Sequence, residues 1–456
     1  MSFPAHSPLR SLPALLLSLL LLWGAAGCGP APEPSAGPSP ASGQLPPETA
    51  SAVSETVSAD EEPADADAAV LRYELTPLDY TPPDRAPEQP RSPVPAPRFR
   101  LDADGVWRER GSGTGPAVLM LTGDLMCQTR QQEAAKTETG YDFRGSFRYV
   151  KPVLAEADLV IGNLEATLSP QAPYMAEQPA VEGKPHLNAP AVFLEALRDA
   201  GFDLVVMSNN HNCDAGVRGV FDTLDRVEEY GLIHTGTFRG SREPRFALVE
   251  LRGIRFGILS YATGFNGKDA HFSEAGRRIL LNPYDPQTAA EDAAAARQAG
   301  AEYLLVYIHW GVEYSNTPSE KQRRIARELA DAGFDCIVGS HPHALQPFET
   351  VEAGDGRRVP VIYSMGNFVS HQQKVVTKDT LILRLVFDRD AAGRVVLEAQ
   401  GYIPCRVFKT FKEANYAVLP MTEPYKQGLR SGYFASALER IAEVVGPALP
   451  MLGTVE

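Results

Sequence analysis

The stretch Asp199-Ala200-Gly201-Phe202-Asp203-Leu204-Val205-Val206-Met207-Ser208-Asn209-Asn210-His211 holds a helix end, a short apolar run and a polar cluster in immediate succession. The phrase recurs. Asp331-Ala332-Gly333-Phe334-Asp335 precedes Cys336-Ile337-Val338 and then Gly339-Ser340-His341-Pro342-His343. A looser copy, Gln298-Ala299-Gly300-Ala301-Glu302, precedes Tyr303 to Ile308 and then His309-Trp310-Gly311. Each copy fits a helix stopped by a left-handed glycine, with Phe or Ala folded back on its last turn, followed by a strand. The segments upstream, Ala191 to Ala200, Ala289 to Ala299 and Glu320 to Ala332, have helical spacing and composition. The three apolar runs are too uniform to alternate, so they are expected to be buried on both faces. Helices alternating with such strands predict a layered α/β fold.

Two earlier apolar runs end in the same way. Val118 to Leu121 leads into Thr122-Gly123-Asp124, and Leu159-Val160-Ile161 leads into Gly162-Asn163-Leu164-Glu165. In open α/β sheets the groups just past the carboxyl ends of the strands converge on one crevice. Singly these clusters say little, since a histidine or a Gly-Asp pair after a strand is a common turn. Jointly they say more, because four of the nine histidines (His211, His309, His341 and His343) fall just past predicted strand ends. Imidazole, carboxylate and amide donors without a required thiolate suit a divalent transition metal such as Mn, Fe or Zn. Two such ions, roughly 3.5–4 Å apart, would clamp a phosphoryl or acyl group during hydrolysis.

Six motifs now stand in order: Gly123-Asp124-Leu125-Met126, Gly162-Asn163-Leu164-Glu165, Asn209-Asn210-His211-xx-Asp214-x-Gly216, His309-Trp310-Gly311, Gly339-Ser340-His341-Pro342-His343 and Tyr363-Ser364-Met365-Gly366-Asn367-Phe368. Together they resemble the CapA family of poly-γ-glutamate capsule synthesis proteins, over roughly Ala117 to Asp388. That family is similar to the calcineurin-like metallophosphoesterases. The resemblance implies a four-layer α/β/β/α sandwich with a dinuclear metal centre. By it Asp124 and Glu165 would be carboxylate ligands, Asn210 an amide ligand, and His309, His341 and His343 imidazole ligands. His211 would be the acid that protonates the leaving group. Two departures from the parent phosphoesterases matter: Met126 stands where their first motif has histidine, and Asn163 and Glu165 stand where their second has two aspartates. One metal position therefore has altered ligation. The implied activity is a metal-dependent, phosphoesterase-like hydrolase acting on an anionic polymer or phosphoester, with other capsule-biosynthesis proteins as partners. The rival reading is a non-catalytic surface protein that binds and helps export or retain anionic capsule polymer.

Several neighbours of the motifs admit two readings. Asp214 either orients His211 or caps a helix starting near Ala215. Asn163 and Asn367 are read as groups supporting the ligands or touching substrate, against a turn asparagine as the plain alternative for Asn367. Tyr363 and His371 are candidate substrate contacts, and Trp310 is expected to pack beside the metal pocket. Phe246 to Ala262 reads as a hairpin turning at Arg252-Gly253. Glu177 to His186, with Lys184, and Phe265 to Arg278 are loops that could border the site.

The ends of the chain set its surroundings. After Arg10 an apolar run from Leu12 to Trp23, shorter than the roughly 20 residues of a bilayer span, leads to Ala25-Ala26-Gly27-Cys28. This resembles a lipoprotein cleavage box, with residues 1–27 as signal peptide and Cys28 as the lipidated residue, placing the protein on the outer side of a membrane. Ordinary cleavage after Gly27, releasing a soluble secreted protein, is the other reading. Residues 28–98 are rich in Pro, Ala and acidic residues and read as a disordered tether. From Gly29 to Arg98 there are four arginines against twelve acidic residues, and 16 of the chain's 38 prolines. A CapA-like domain is expected over 99–424 and a helical segment over 425–456, with a helix at Ser431 to Val445. The net charge of −14 and the lack of a basic stripe argue against nucleic-acid binding. Cys127, Cys213, Cys336 and Cys405 form no Cys-x-x-Cys pair and are expected to be buried free thiols.

Overall fold

The three repeated phrases form the same local structure. In the computed structural model, the helices Phe193–Ala200, Pro286–Gln298 and Glu320–Asp331 are each followed by a glycine with positive φ, Gly201 (106°), Gly300 (100°) and Gly333 (101°). The next residue folds back in each case. The N–H groups of Phe202, Ala301 and Phe334 donate to the carbonyls of Leu197, Ala296 and Leu329, at 3.0, 3.0 and 3.3 Å. This pattern satisfies orphan carbonyls of the last helical turn and aims the chain into a strand. The strands Leu204–Val206, Tyr303–His309 and Cys336–Ser340 are buried along their whole length, as expected for parallel strands covered on both sides. The structure describes residues 96–453 apart from 112, 114, 179–185, 411–414 and 423–430. The signal peptide, Cys28, nearly all of the tether and Lys184 therefore lie outside the described residues.

These strands do not share one sheet. The first large sheet runs Tyr416–Pro420, Val395–Lys409, Asp379–Arg389, Ala117–Leu125, Leu159–Leu164, Leu204–Val206, Ile233–Thr235, with Asn367–Val369 paired alongside Ala117–Leu125. Its last four members are parallel, and its first three antiparallel. The second sheet runs Phe99–Leu101, Trp107–Glu109, Ala247–Leu251, Ile254–Ala262, Tyr303–His309, Cys336–Ser340, Arg358–Met365, Leu345–Glu352. Ile254 through Met365 again supply a parallel core, and the hairpin at Arg252-Gly253 supplies an antiparallel neighbour.

Strand alternation then stacks the layers. Leu119, Leu121, Ile161, Leu204 and Val206 of the first sheet meet Phe256, Ile258, Leu305, Tyr307 and Val338 of the second in one central core. The intervening residues face outward. Met120, Val160 and Val205 pack under the helices carrying Leu197, Leu224 and Val227, while Leu304, Val306 and Ile337 pack under those carrying Ala293, Ala296, Ile325 and Leu329. The architecture is a four-layer α/β/β/α sandwich. Each fully buried large aliphatic side chain contributes roughly 1.5–3 kcal/mol. The helix Ser431–Val445 belongs to this arrangement as well, since Ala437, Ile441 and Val445, four residues apart, enter the central core.

The aspartates that open the strands have a separate task. Asp158, Asp203 and Asp335 each accept the N–H of the second residue of the neighbouring strand, from Val118 (2.8 Å), Val160 (3.1 Å) and Leu304 (2.7 Å). Each also meets an arginine: Arg252 on Asp158, Arg98 on Asp203, Arg297 on Asp335. The amino-terminal edges of the strands are thereby pinned and neutralised. Cys127, Cys213, Cys336 and Cys405 are free and buried. Among the described residues no helix is long and apolar enough to cross a membrane.

Candidate metal centre

The carboxyl ends of the strands present the opposite picture. Asp124 is the penultimate residue of Ala117–Leu125, Glu165 follows Leu159–Leu164, and Asn210 and His211 lie in the turns after Leu204–Val206. His309 ends Tyr303–His309, and His341 and His343 follow Cys336–Ser340. The two carboxylates, Asn210 and His211 come from the first sheet, and His309, His341 and His343 from the second. Close backbone approach shapes these strand ends, against the turn at Gly366 in one case and within the second sheet in the other. A Cβ on Gly123 would lie 1.9 Å from the Gly366 carbonyl oxygen, and one on Gly339 would lie 1.9 Å from that of Tyr363, so only glycine fits either position. His341 (φ 96°) and His343 (φ 56°) are held in a left-handed region that such residues rarely adopt.

Asp124, Glu165 and His309 each bring a ligating atom within 4.8 Å of the others, all three buried. His309 Nε2 lies 2.9 Å from Asn210 Oδ1, 3.1 Å from His341 Nδ1 and 3.8 Å from Glu165 Oε1. His343 Nδ1 lies 3.2 Å from Asp124 Oδ2, and its Nε2 3.8 Å from Glu165 Oε1. All six residues assigned as ligands thus meet in one place. Both Glu165 oxygens are fully buried and have no hydrogen-bond partner. A carboxylate so placed, among imidazole nitrogens that converge on one another, fits a divalent cation. The electrostatics agree: burial, then Asp124 and Glu313, push the Glu165 carboxyl well above its ordinary range. Burial, then His341 and His343, push His309 well down, and burial with His343 lowers His341 to about 4. A bound cation would offset the carboxylate repulsion and use the neutral imidazoles as donors.

Supporting groups fix the donors. Asn163 Nδ2 donates to Asp124 Oδ1 at 2.8 Å, and Asn209 Nδ2 donates to Asn163 Oδ1 at 3.1 Å, so Asn163 holds Asp124 with its donor end. Ser340 Oγ lies 2.9 Å from His309 Nδ1, which leaves Nε2 for the cluster. Met126 is buried in the outer core beneath the helices. Asp214 Oδ2 lies 2.7 Å from His211 Nδ1 and also accepts the Leu187 N–H, while Lys268 donates to Oδ1 at 2.6 Å. Burial alone would raise Asp214, but His211 and Lys268 hold it below the usual carboxylate value. The following helix, Gly216–Glu229, has Ala215 at its cap and no side-chain cap, so Asp214 serves His211 and not the helix.

Other candidates fall elsewhere. Asn367 pairs in register with Asp124, and its amide donates to Gln372 and to the Thr377 carbonyl. Tyr363 is buried against Trp310 in the outer helix-covered core, a correction to its reading as a substrate contact: its backbone belongs to the site's neighbourhood and its ring to the packing. Trp310 packs there and donates to the Tyr363 carbonyl. His371 accepts the N–H of Arg130, in the helix Thr129–Ala135 that follows Asp124's strand, at 3.4 Å. The loop from Phe265 does reach the site: Asn266 exchanges hydrogen bonds with Asn210, and Lys268 reaches Asp214. No periodicity marks these two residues in the sequence. The same loop borders a cavity of about 560 Å³ that also includes Arg277, Lys321 and Arg324 but no member of the metal cluster.

Residues 118–372, more than half of the chain, match the family described as bacterial capsule synthesis protein PGA_cap. The chain belongs to this family. The PGA_cap match encloses all six candidate ligands from Asp124 to His343. Capsule biosynthesis protein CapA of Bacillus anthracis is 29% identical over 290 residues, covering 61% of this chain and 68% of that protein. PGA biosynthesis protein CapA of Bacillus subtilis (strain 168) is 30% identical over 276 residues, covering 60% and 68%. Among solved structures, the calcineurin-like phosphoesterase YfkN from Bacillus subtilis aligns at 12% identity and a TM-score of 0.37, over 73% of this chain and 98% of that one.

Proposed function

We propose that this chain is an exported, lipid-anchored, metal-dependent hydrolase of phosphoesterase-like chemistry that acts in capsule or poly-γ-glutamate biosynthesis or processing. The observation that carries the reading is Glu165, with both oxygens buried and unpartnered among Asp124, Asn210 and three histidines. The names of the Bacillus relatives support the capsule setting, and Leu12 to Cys28 supports export and anchoring. Asp124, Glu165, Asn210, His309, His341 and His343 would hold the metal, and six donors suffice for two ions of Mn, Fe or Zn. When bound, such ions supply Lewis acidity to a phosphoryl or acyl group.

The remaining work falls to the chain itself. An ionised Asp214 only accepts, so it keeps a proton on His211 Nδ1 and leaves Nε2 as the atom that exchanges one. As the imidazolium, protonated at both nitrogens, His211 would give its Nε2 proton to the departing oxygen as that oxygen's bond to phosphorus or acyl carbon breaks. Lys268 and the Leu187 N–H hold Asp214 in place, and Asn163 holds Asp124. The test is turnover of a model phosphodiester by the metal-loaded protein. His211→Ala should lower it by about 10²–10⁴-fold with metal still bound. Binding of polymer with no turnover under any metal would instead favour a non-catalytic, polymer-retaining protein.

A further inference from the structure

Two loops meet beside the imidazole side of the centre, and neither carries a metal ligand. One follows His309 and contains Val312, Glu313 and Tyr314; the other follows Asn367 and contains Lys374 and Val375. Tyr314 has φ 67°, a conformation uncommon for a bulky residue, and its N–H donates to the Pro342 carbonyl, between His341 and His343, at 2.7 Å. Its ring centroid lies 6.1 Å from that of His343. The Lys374 ammonium sits 3.4 Å from the centre of the Tyr314 ring. Among the described residues no carboxylate forms an ion pair with Lys374, whereas Lys268, on the His211 side, is engaged by Asp214. The Lys374 turn is anchored to the centre: Thr377 Oγ1 donates to the Lys374 carbonyl at 2.9 Å, and Asn367, in register with Asp124, donates to the Thr377 carbonyl. Val312 and Val375, 60% and 53% exposed, stand next to these residues in sequence and are two of only four exposed large apolar side chains among the described residues.

We propose that Lys374 and Tyr314 form a clamp at the mouth of the metal centre that takes one acidic unit of a polyanionic chain, its carboxylate on the Lys374 ammonium and its methylene stem against Tyr314, Val312 and Val375. The proposal rests on the reading that the centre serves an anionic polymer. The exposed Glu313 beside Tyr314 would repel a polyanion, and the unpaired Lys374 ammonium over the Tyr314 ring offsets it. The exposed valines suit an acid with an aliphatic stem better than they suit a bare inorganic anion.

The test measures binding of labelled poly-γ-glutamate of defined length to the full, metal-loaded chain, beside Lys374→Glu, Lys374→Arg and Tyr314→Gly. Lys374→Glu should weaken binding by about tenfold or more, Lys374→Arg should retain most of it, and Tyr314→Gly should weaken it without lowering Tm. Metal content should stay the same in all three. Unchanged binding in Lys374→Glu overturns the clamp and leaves the metal-centre reading standing. A fall in Tm for Tyr314→Gly with binding intact assigns the tyrosine to packing and likewise overturns the clamp. Absence of binding by the wild-type chain removes the polymer reading itself, and the clamp with it.

Discussion

Asp203 and Glu165 sit at opposite ends of the same sheet, both buried, and they show how a structural carboxylate differs from a site carboxylate. Burial pushes Asp203 up, but only to about 6, because Arg98, the Val160 N–H and Arg198 pull it back. At Glu165 burial acts in the same direction as Asp124 and Glu313, and neither carboxylate oxygen has a hydrogen-bond partner. Desolvation alone does not mark function, since both groups suffer it. What distinguishes Glu165 is desolvation with both carboxylate oxygens left unpartnered among converging imidazoles.

The sharpest way to break this comparison is to remove the charge at each end. Asp203→Asn should destabilise by about 3 kcal/mol, because Arg198 is left buried without its anion, and chelator should not change that figure. Denaturant unfolding with and without chelator measures it. Glu165→Gln should behave oppositely. It should lose bound metal by elemental analysis, yet in the metal-free protein it should be as stable as wild type or up to about 2 kcal/mol more stable. Destabilisation of metal-free Glu165→Gln to the extent seen for Asp203→Asn would erase the distinction.

A pH series sharpens it further. The folded-state value of Glu165 is raised, so the metal-free fold bears its cost at neutral pH and is relieved as pH falls through that raised value. His309 and His341 are depressed and act in the opposite sense, which makes the difference between wild type and Glu165→Gln the useful quantity. The advantage of the variant should grow as pH rises from about 5 to 8, by at most about 1.4 kcal/mol per unit. The same proton must leave when a cation enters, so wild-type metal affinity should climb with pH over that window, by isothermal titration. The smallest effect is expected at Asp335, the other copy of the pinning aspartate. Its side chain is 18% exposed, and Asp335→Asn should cost about 1 kcal/mol without affecting metal content.

Much of this could be read from residues close together in the chain. The glycine stops at Gly201, Gly300 and Gly333, the strands after them, the hairpin at Arg252-Gly253 and the polar cluster at each strand end are all signals that span a few residues. The six candidate ligands could be picked out because they lie at those ends. Asn266, Lys268, Tyr314 and Lys374 were not, since each reaches the centre from a loop whose course no local spacing encodes. Tyr363 misled for the same reason: its backbone enters the site's neighbourhood while its ring turns to the outer layer.

The three copies of one phrase mark the division most clearly. By itself the sequence determined that each copy would form a helix, a glycine cap and a buried strand, because hydrogen bonds and side-chain alternation within a dozen residues decide those steps. It could not determine that Leu204–Val206 joins one sheet while Tyr303–His309 and Cys336–Ser340 join the other. Sheet membership is settled by which apolar faces bury one another, a matter of long-range packing. That packing alone brings the carboxylates of one sheet against the imidazoles of the other, and without it neither half has the donors to hold a metal.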